Sequence, residues 1–191
     1  MTHRNIVLVG YRGTGKTTVG RLLAAKLGWT FADADEAVEA AAGKTITDIF
    51  ATEGEASFRD REAAALAELC ARSGHVIATG GGAILRETNR AALAAGGFVA
   101  WLVAAPETVW GRIQGDPTTQ ARRPNLTSLG GADEVRALVA ARESLYRAVA
   151  DFAVASDALS PGEIADAIIT SWNGGSTCRS STGPCASSPS G

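Results

Sequence analysis

From residue 10 to residue 18 the chain reads Gly-Tyr-Arg-Gly-Thr-Gly-Lys-Thr-Thr, which fits the pattern G-x-x-x-x-G-K-[ST]. The chemistry such a run can do is anion capture. Glycines let successive backbone N–H groups turn inward on a phosphate, and a helix N-terminus behind them adds partial positive charge. Gly13, Thr14, Gly15, Lys16, Thr17 and Thr18 are therefore expected to wrap the phosphates of a nucleoside triphosphate. Lys16 would reach the β- and γ-phosphates, and Thr17 would offer its hydroxyl to Mg²⁺. A plain turn with a surface lysine is the alternative. The context argues against it, because the apolar run Ile6 to Val9 precedes the motif as a buried strand. Behind it, Val19, Leu22, Leu23 and Leu27 recur at helical spacing, with Gly28 as the stop.

Asp33 and Asp35 stand two residues apart at the end of a second short strand that begins at Trp29. Residues so spaced on a strand share a side. One could support Mg²⁺ while the other accepts a proton from an acceptor hydroxyl. The alternative is that Asp35 only caps a helix starting at Glu36. Gly80-Gly81-Gly82 follows the apolar strand His75 to Thr79. It is either a permissive exit turn or a place where a ligand meets bare backbone. Arg59 sits among Asp60, Arg61 and Glu62 on a helical stretch, and Arg142 and Tyr146 share a helix face. Periodicity alone leaves these arginines on the surface. Arg122 and Arg123, before Pro124, fall in a Gly-, Pro- and Thr-rich segment spanning residues 112 to 131, which suits a lid that closes over phosphates.

Strands alternate with helices along the chain. Phe98 to Val103 and Phe152 to Ala155 read as further strands, and helices are expected at 55–72, 89–95, 132–150 and 161–172. A break is expected at Gly54, between the helix that Thr45 opens and the next. That alternation implies an α/β fold with a parallel sheet covered on both faces, and ligands gathered at the C-terminal strand ends.

At 191 residues with 46% hydrophobic content, the chain is one domain's worth. A net charge of −2 provides no field to recruit nucleic acid or anionic membrane. Three cysteines without a C-x-x-C pair and two histidines argue against a disulfide framework or structural zinc. The first strand begins within five residues of Met1 and the longest apolar run is too short to span a bilayer, so a cytoplasmic location is expected. Residues 173–191 are rich in Ser, Gly, Pro and Thr and read as a disordered tail after a domain of residues 1–172.

Taken in order, the motifs resemble the shikimate kinases. The P-loop, Phe31-Ala-Asp33-Ala-Asp35, Phe58-Arg59, the triple glycine, Arg123-Pro124 and Arg142-x-x-x-Tyr146 are similar to that family's series and cover about residues 5 to 172. The resemblance implies a P-loop NTPase fold, a three-layer sandwich whose five-stranded parallel sheet has order 2-3-1-4-5. It also implies ATP-dependent phosphorylation of the 3-hydroxyl of shikimate, in the pathway to aromatic amino acids; a monomer without nucleic-acid or membrane partners is expected. Carried over by position, Lys16 and Arg123 act on the transferring phosphate, Arg123 closing from the lid. Thr17 and Asp33 serve Mg²⁺, and Asp35 binds substrate hydroxyls as the base. Arg59 and Arg142, with Gly80, Gly81 and Gly82, hold the shikimate carboxylate. The segment between Arg112 and Arg123 is longer than the family usually shows, which weakens Arg112 as a second ATP contact. The rival readings are another hydroxy-acid kinase, such as a gluconate kinase, and an ATP-binding module that transfers nothing.

Overall fold

The computed structural model describes residues 4–115 and 131–174. Five strands, β1 (Asn5–Val9), β2 (Thr30–Asp33), β3 (His75–Ala78), β4 (Phe98–Val103) and β5 (Phe152–Ala155), form one sheet of order β2-β3-β1-β4-β5. Every neighbouring pair is parallel. The helices among the described residues are α1 (Lys16–Leu27), α2 (Ala34–Ala42), α3 (Ile46–Ala71), α4 (Glu87–Gly96), α5 (Pro106–Gln114), α6 (Gly131–Val149) and α7 (Pro161–Gly174), with a 3₁₀ turn at Ala83–Leu85. The architecture is the expected three-layer sandwich.

The central strand shows why. Ile6 and Leu8 face a core with Val19 and Leu23 of α1 and Ile164 and Ile168 of α7. Val7 and Val9 face the other way, toward Leu66 of α3, Leu93 of α4 and Tyr146 of α6. Side chains alternate across a strand, so an unbroken apolar run can only be satisfied by cover on both sides. Away from the strand C-termini, the buried Asn5 secures three elements: its Nδ2 donates to the carbonyls of Arg72 (2.8 Å) and Gly96 (3.0 Å), and its Oδ1 accepts from His75 N–H (3.0 Å).

Several boundaries differ from expectation by a few residues, and at the starts of α1 and α2 the local reason is plain. α1 starts at Lys16 instead of Val19, because its first turn is polar and carries no apolar period. α2 starts at Ala34, and Asp33, not Asp35, is its N-cap, its carboxylate accepting from Asp35 N–H at 3.0 Å. Asp35 thus lies in the helix's first turn, and the shared-side argument for two strand residues does not apply to it. α7 runs on to Gly174, two residues into the expected tail; residues 175–191 lie outside the described residues. The break at Gly54 is present: its φ of 83° interrupts α3, so that the part bearing Phe58 and Arg59 sets off in a new direction.

Candidate active site

The phosphate-binding candidates occupy the turn from β1 into α1. α1 begins at an N-cap glycine, Gly15, that makes no side-chain cap, and its first turn carries no acidic residue. The first N–H groups of such a helix have no intrahelical partner, and the field there favours an anion. Lys16, 9% exposed, donates from Nζ to the carbonyls of Gly10 (2.8 Å) and Tyr11 (2.7 Å). Its ammonium is thereby held along the loop. Thr14 is buried, and its hydroxyl is turned to the Tyr11 carbonyl at 2.8 Å.

These residues open onto a cleft of about 570 Å³ at the C-terminal ends of the strands. Gly13, Gly15, Lys16, Thr17, Thr18, Asp33, Asp35, Gly80 and Gly81 all line it. Thr17 Oγ1 stands 3.3 Å from Asp33 Oδ2. Burial pushes the Asp33 carboxyl above the usual carboxylate range, and the neighbouring Asp35 adds to the effect.

Gly82, Arg59 and Arg142 stand behind the Gly80–Gly81 wall. Tyr146, stacked on Trp101, donates its hydroxyl to the Gly81 carbonyl at 2.6 Å, and Arg142 Nη1 reaches the same oxygen at 3.2 Å. Arg59 packs so closely on Gly82 that a Cβ there would lie 2.7 Å from Nη1. A side chain at position 82 would have to push this guanidinium aside. The two arginines therefore flank one turn, although 83 positions of chain separate them (142 − 59). Phe58 secures Arg59 from below, buried beside Phe50 in a small core with Val38, Ile46 and Ile49. Arg59 donates to Glu62 at 2.9 Å and Glu55 at 3.0 Å, and these carboxylates hold its guanidinium more firmly protonated despite the opposing effect of burial. Arg123 lies outside the described residues.

A sequence profile of the shikimate kinases matches residues 12–173. The chain belongs to the shikimate kinase family. It is 50% identical over 151 residues to the shikimate kinase of Rhodopirellula baltica, covering 79% of this chain and 81% of that one. With that of Symbiobacterium thermophilum it shares 52% over 153 residues, 80% of this chain and 87% of the relative. Among solved structures, a shikimate kinase from Acinetobacter baumannii in complex with shikimate superposes with a TM-score of 0.81 at 40% identity, covering 88% of this chain and 92% of that one. As in that family, the protein is an ATP-dependent kinase acting on a hydroxyl group.

Arg12, Arg21, Glu36 and Thr79 also line the cleft, and the motifs did not single them out as site residues; Arg112, which the longer segment counted against as an ATP contact, lines it too. Arg112 donates to the carbonyls of Gly13 (3.3 Å) and Ser156 (2.8 Å), next to the phosphate loop despite the longer segment that follows it. Arg12 occupies a variable position of the P-loop pattern, so no spacing rule could mark it.

Proposed function

We propose that the protein transfers the γ-phosphoryl group of ATP to the 3-hydroxyl of shikimate. One observation carries the reading: an uncapped helix N-terminus with its lysine and a glycine turn flanked by two arginines meet at a single cleft. In this reading the backbone of Gly13 to Thr18 and the Lys16 ammonium hold the β- and γ-phosphates. Arg142 and Arg59 grip the acceptor's carboxylate beside Gly80 to Gly82, and two forks on one small acid set its angle to the phosphate. Asp35 accepts the proton of the 3-hydroxyl as that oxygen bonds to phosphorus and the bond to ADP breaks. Arg123 adds positive charge at the transferring group, a role taken from the family pattern.

Thr17 and Asp33 would hold Mg²⁺. The donor set fits, being a hydroxyl and a carboxylate, hard oxygens of the kind that complete a magnesium shell with phosphate oxygens and water. A cation there would also relieve the charge that burial and Asp35 make costly on Asp33. When bound, the ion neutralises charge on the phosphates. We take the protein to act on small molecules as a cytoplasmic monomer; among the described residues no helix is long and apolar enough to cross a membrane.

The deciding experiment is ADP release by the purified protein with ATP, Mg²⁺ and a panel of hydroxy acids. Release that depends on shikimate supports the reading. Equal turnover with gluconate favours the rival kinase, and no acceptor dependence favours a module that transfers nothing.

A further inference from the structure

Tyr11 belongs to two parts of the site at once. Its carbonyl accepts hydrogen bonds from Lys16 Nζ at 2.7 Å and Thr14 Oγ1 at 2.8 Å, inside the phosphate loop. Its ring, only 3% exposed, lies against the acceptor-side arginine, with the guanidinium carbon of Arg142 5.7 Å from the ring centroid. Arg142 itself is 8% exposed. Among the described residues it makes one hydrogen bond, to the neutral Gly81 carbonyl, and no ion pair. A buried guanidinium on a single neutral contact can still pivot about that contact. An aromatic face within about 6 Å restrains it, because the planar cation is attracted to the ring.

Arg12 is the second cation on this ring, 5.8 Å from the centroid, but it has its own counter-charge in the buried Glu134 at 3.6 Å. Arg142 therefore stays the cation whose charge an incoming anion can meet. The phenolic oxygen of Tyr11 is buried with the Arg12 side chain beside it, and the contact with Arg142 is made by the ring.

We propose that Tyr11 is a positioning residue for the acceptor: its ring sets the plane of the Arg142 guanidinium so that both N–H groups of its fork meet the carboxylate of the substrate. A side chain of the phosphate loop thereby governs recognition of the other substrate. The inference rests on the function proposed above.

Steady-state kinetics with each substrate varied in turn test it. Tyr11→Leu keeps apolar bulk and removes the aromatic face; the KM for shikimate rises roughly tenfold, while the KM for ATP stays within about twofold. Tyr11→Phe restores the wild-type KM for shikimate. An unchanged shikimate KM in Tyr11→Leu overturns the proposal, and so does an equal rise in the KM for ATP, which would mark a collapsed loop. If Tyr11→Leu fails to fold, Tyr11→Phe still decides, since a raised shikimate KM in that ring-bearing variant also overturns it. A wild-type protein that phosphorylates a different hydroxy acid defeats the functional reading alone; the Leu and Phe variants are then compared on that acid, with the same outcomes deciding.

Discussion

Under the proposed function, the phosphate side of the cleft comes from one continuous run, Gly10 to Thr18, whereas the acceptor side is gathered from Asp35, Gly80 and Gly81 at the cleft and from Gly82, Arg59 and Arg142 behind them. The first wall needs only a strand, a turn and a helix start, and its charge comes from backbone dipoles and Lys16, with Arg12 beside them paired to Glu134. The second exists only once four parts of the chain have docked. Within it the two arginines are supported in opposite ways. Arg59 is tied to Glu55 and Glu62, while Arg142 rests on a carbonyl and an aromatic ring. The contrast separates a side chain whose charge is balanced in the fold from one that makes no ion pair among the described residues. It predicts that damage to the two walls is distinguishable.

The largest effect is expected at Asp35. Asp35→Asn removes the acceptor-side base and lowers kcat by roughly a thousandfold, with ATP affinity in equilibrium binding little changed. Undiminished kcat would remove Asp35 from the chemistry, and lost ATP affinity would erase the distinction between the walls. Next come the arginines. Arg142→Met costs ~2–4 kcal/mol of shikimate kcat/KM and does not lower the thermal midpoint, since it removes a buried cation without an ion partner. Arg59→Met weakens shikimate binding as well, but also destabilises the fold by ~1–3 kcal/mol, because it takes the guanidinium from Glu62, which is 1% exposed. Equal melting behaviour of the two variants would break the comparison.

A smaller effect is expected at Asp33. Its carboxyl is raised in the folded state, so the fold favours its protonated form; stability linked to it is present at low pH and lost as the group ionises. Asp33→Asn keeps an oxygen to cap α2 and should raise the thermal midpoint at neutral pH, with the gain shrinking in acid. It should also raise the Mg²⁺ concentration needed for half-maximal rate. The smallest effect concerns Glu53, beside the Gly54 bend that aims Arg59. Hydrogen bonds from Ser57, Lys44 and Arg61 lower its pKa to about 2. Its contribution is present above the ordinary carboxylate range and fades as pH falls toward that value. Carboxyl-carbon NMR titration checks this, and an ordinary midpoint would show that the bend is not braced by these groups.

The strands Phe98–Val103 and Phe152–Ala155 match expectation residue for residue, because each is an apolar run with clear ends, buried almost throughout in the first and only partly in the second, at the sheet edge. The phosphate loop was legible for a related reason, since its whole geometry is local. The helix starts at Lys16 and Ala34 were misplaced where polar first turns carry no period. Arg59 and Arg142 could not be placed by periodicity. What makes Arg142 more than a surface residue is Gly81, 61 positions away, and only the ordered set of motifs pointed there. Arg12 and Arg112 owe their positions to tertiary contacts with Glu134 and Gly13, for which no spacing in the chain gives a sign.

Asn5 has a practical consequence for redesign. It joins the start of the central strand to the ends of α3 and α4 and to β3, at the rim of the sheet remote from substrate. A chimera that imports the glycine turn or neighbouring arginines of another acid kinase would leave this amide and the strand ladders intact. Selectivity grafts at the cleft therefore leave the opposite rim of the sheet tied by its own contacts.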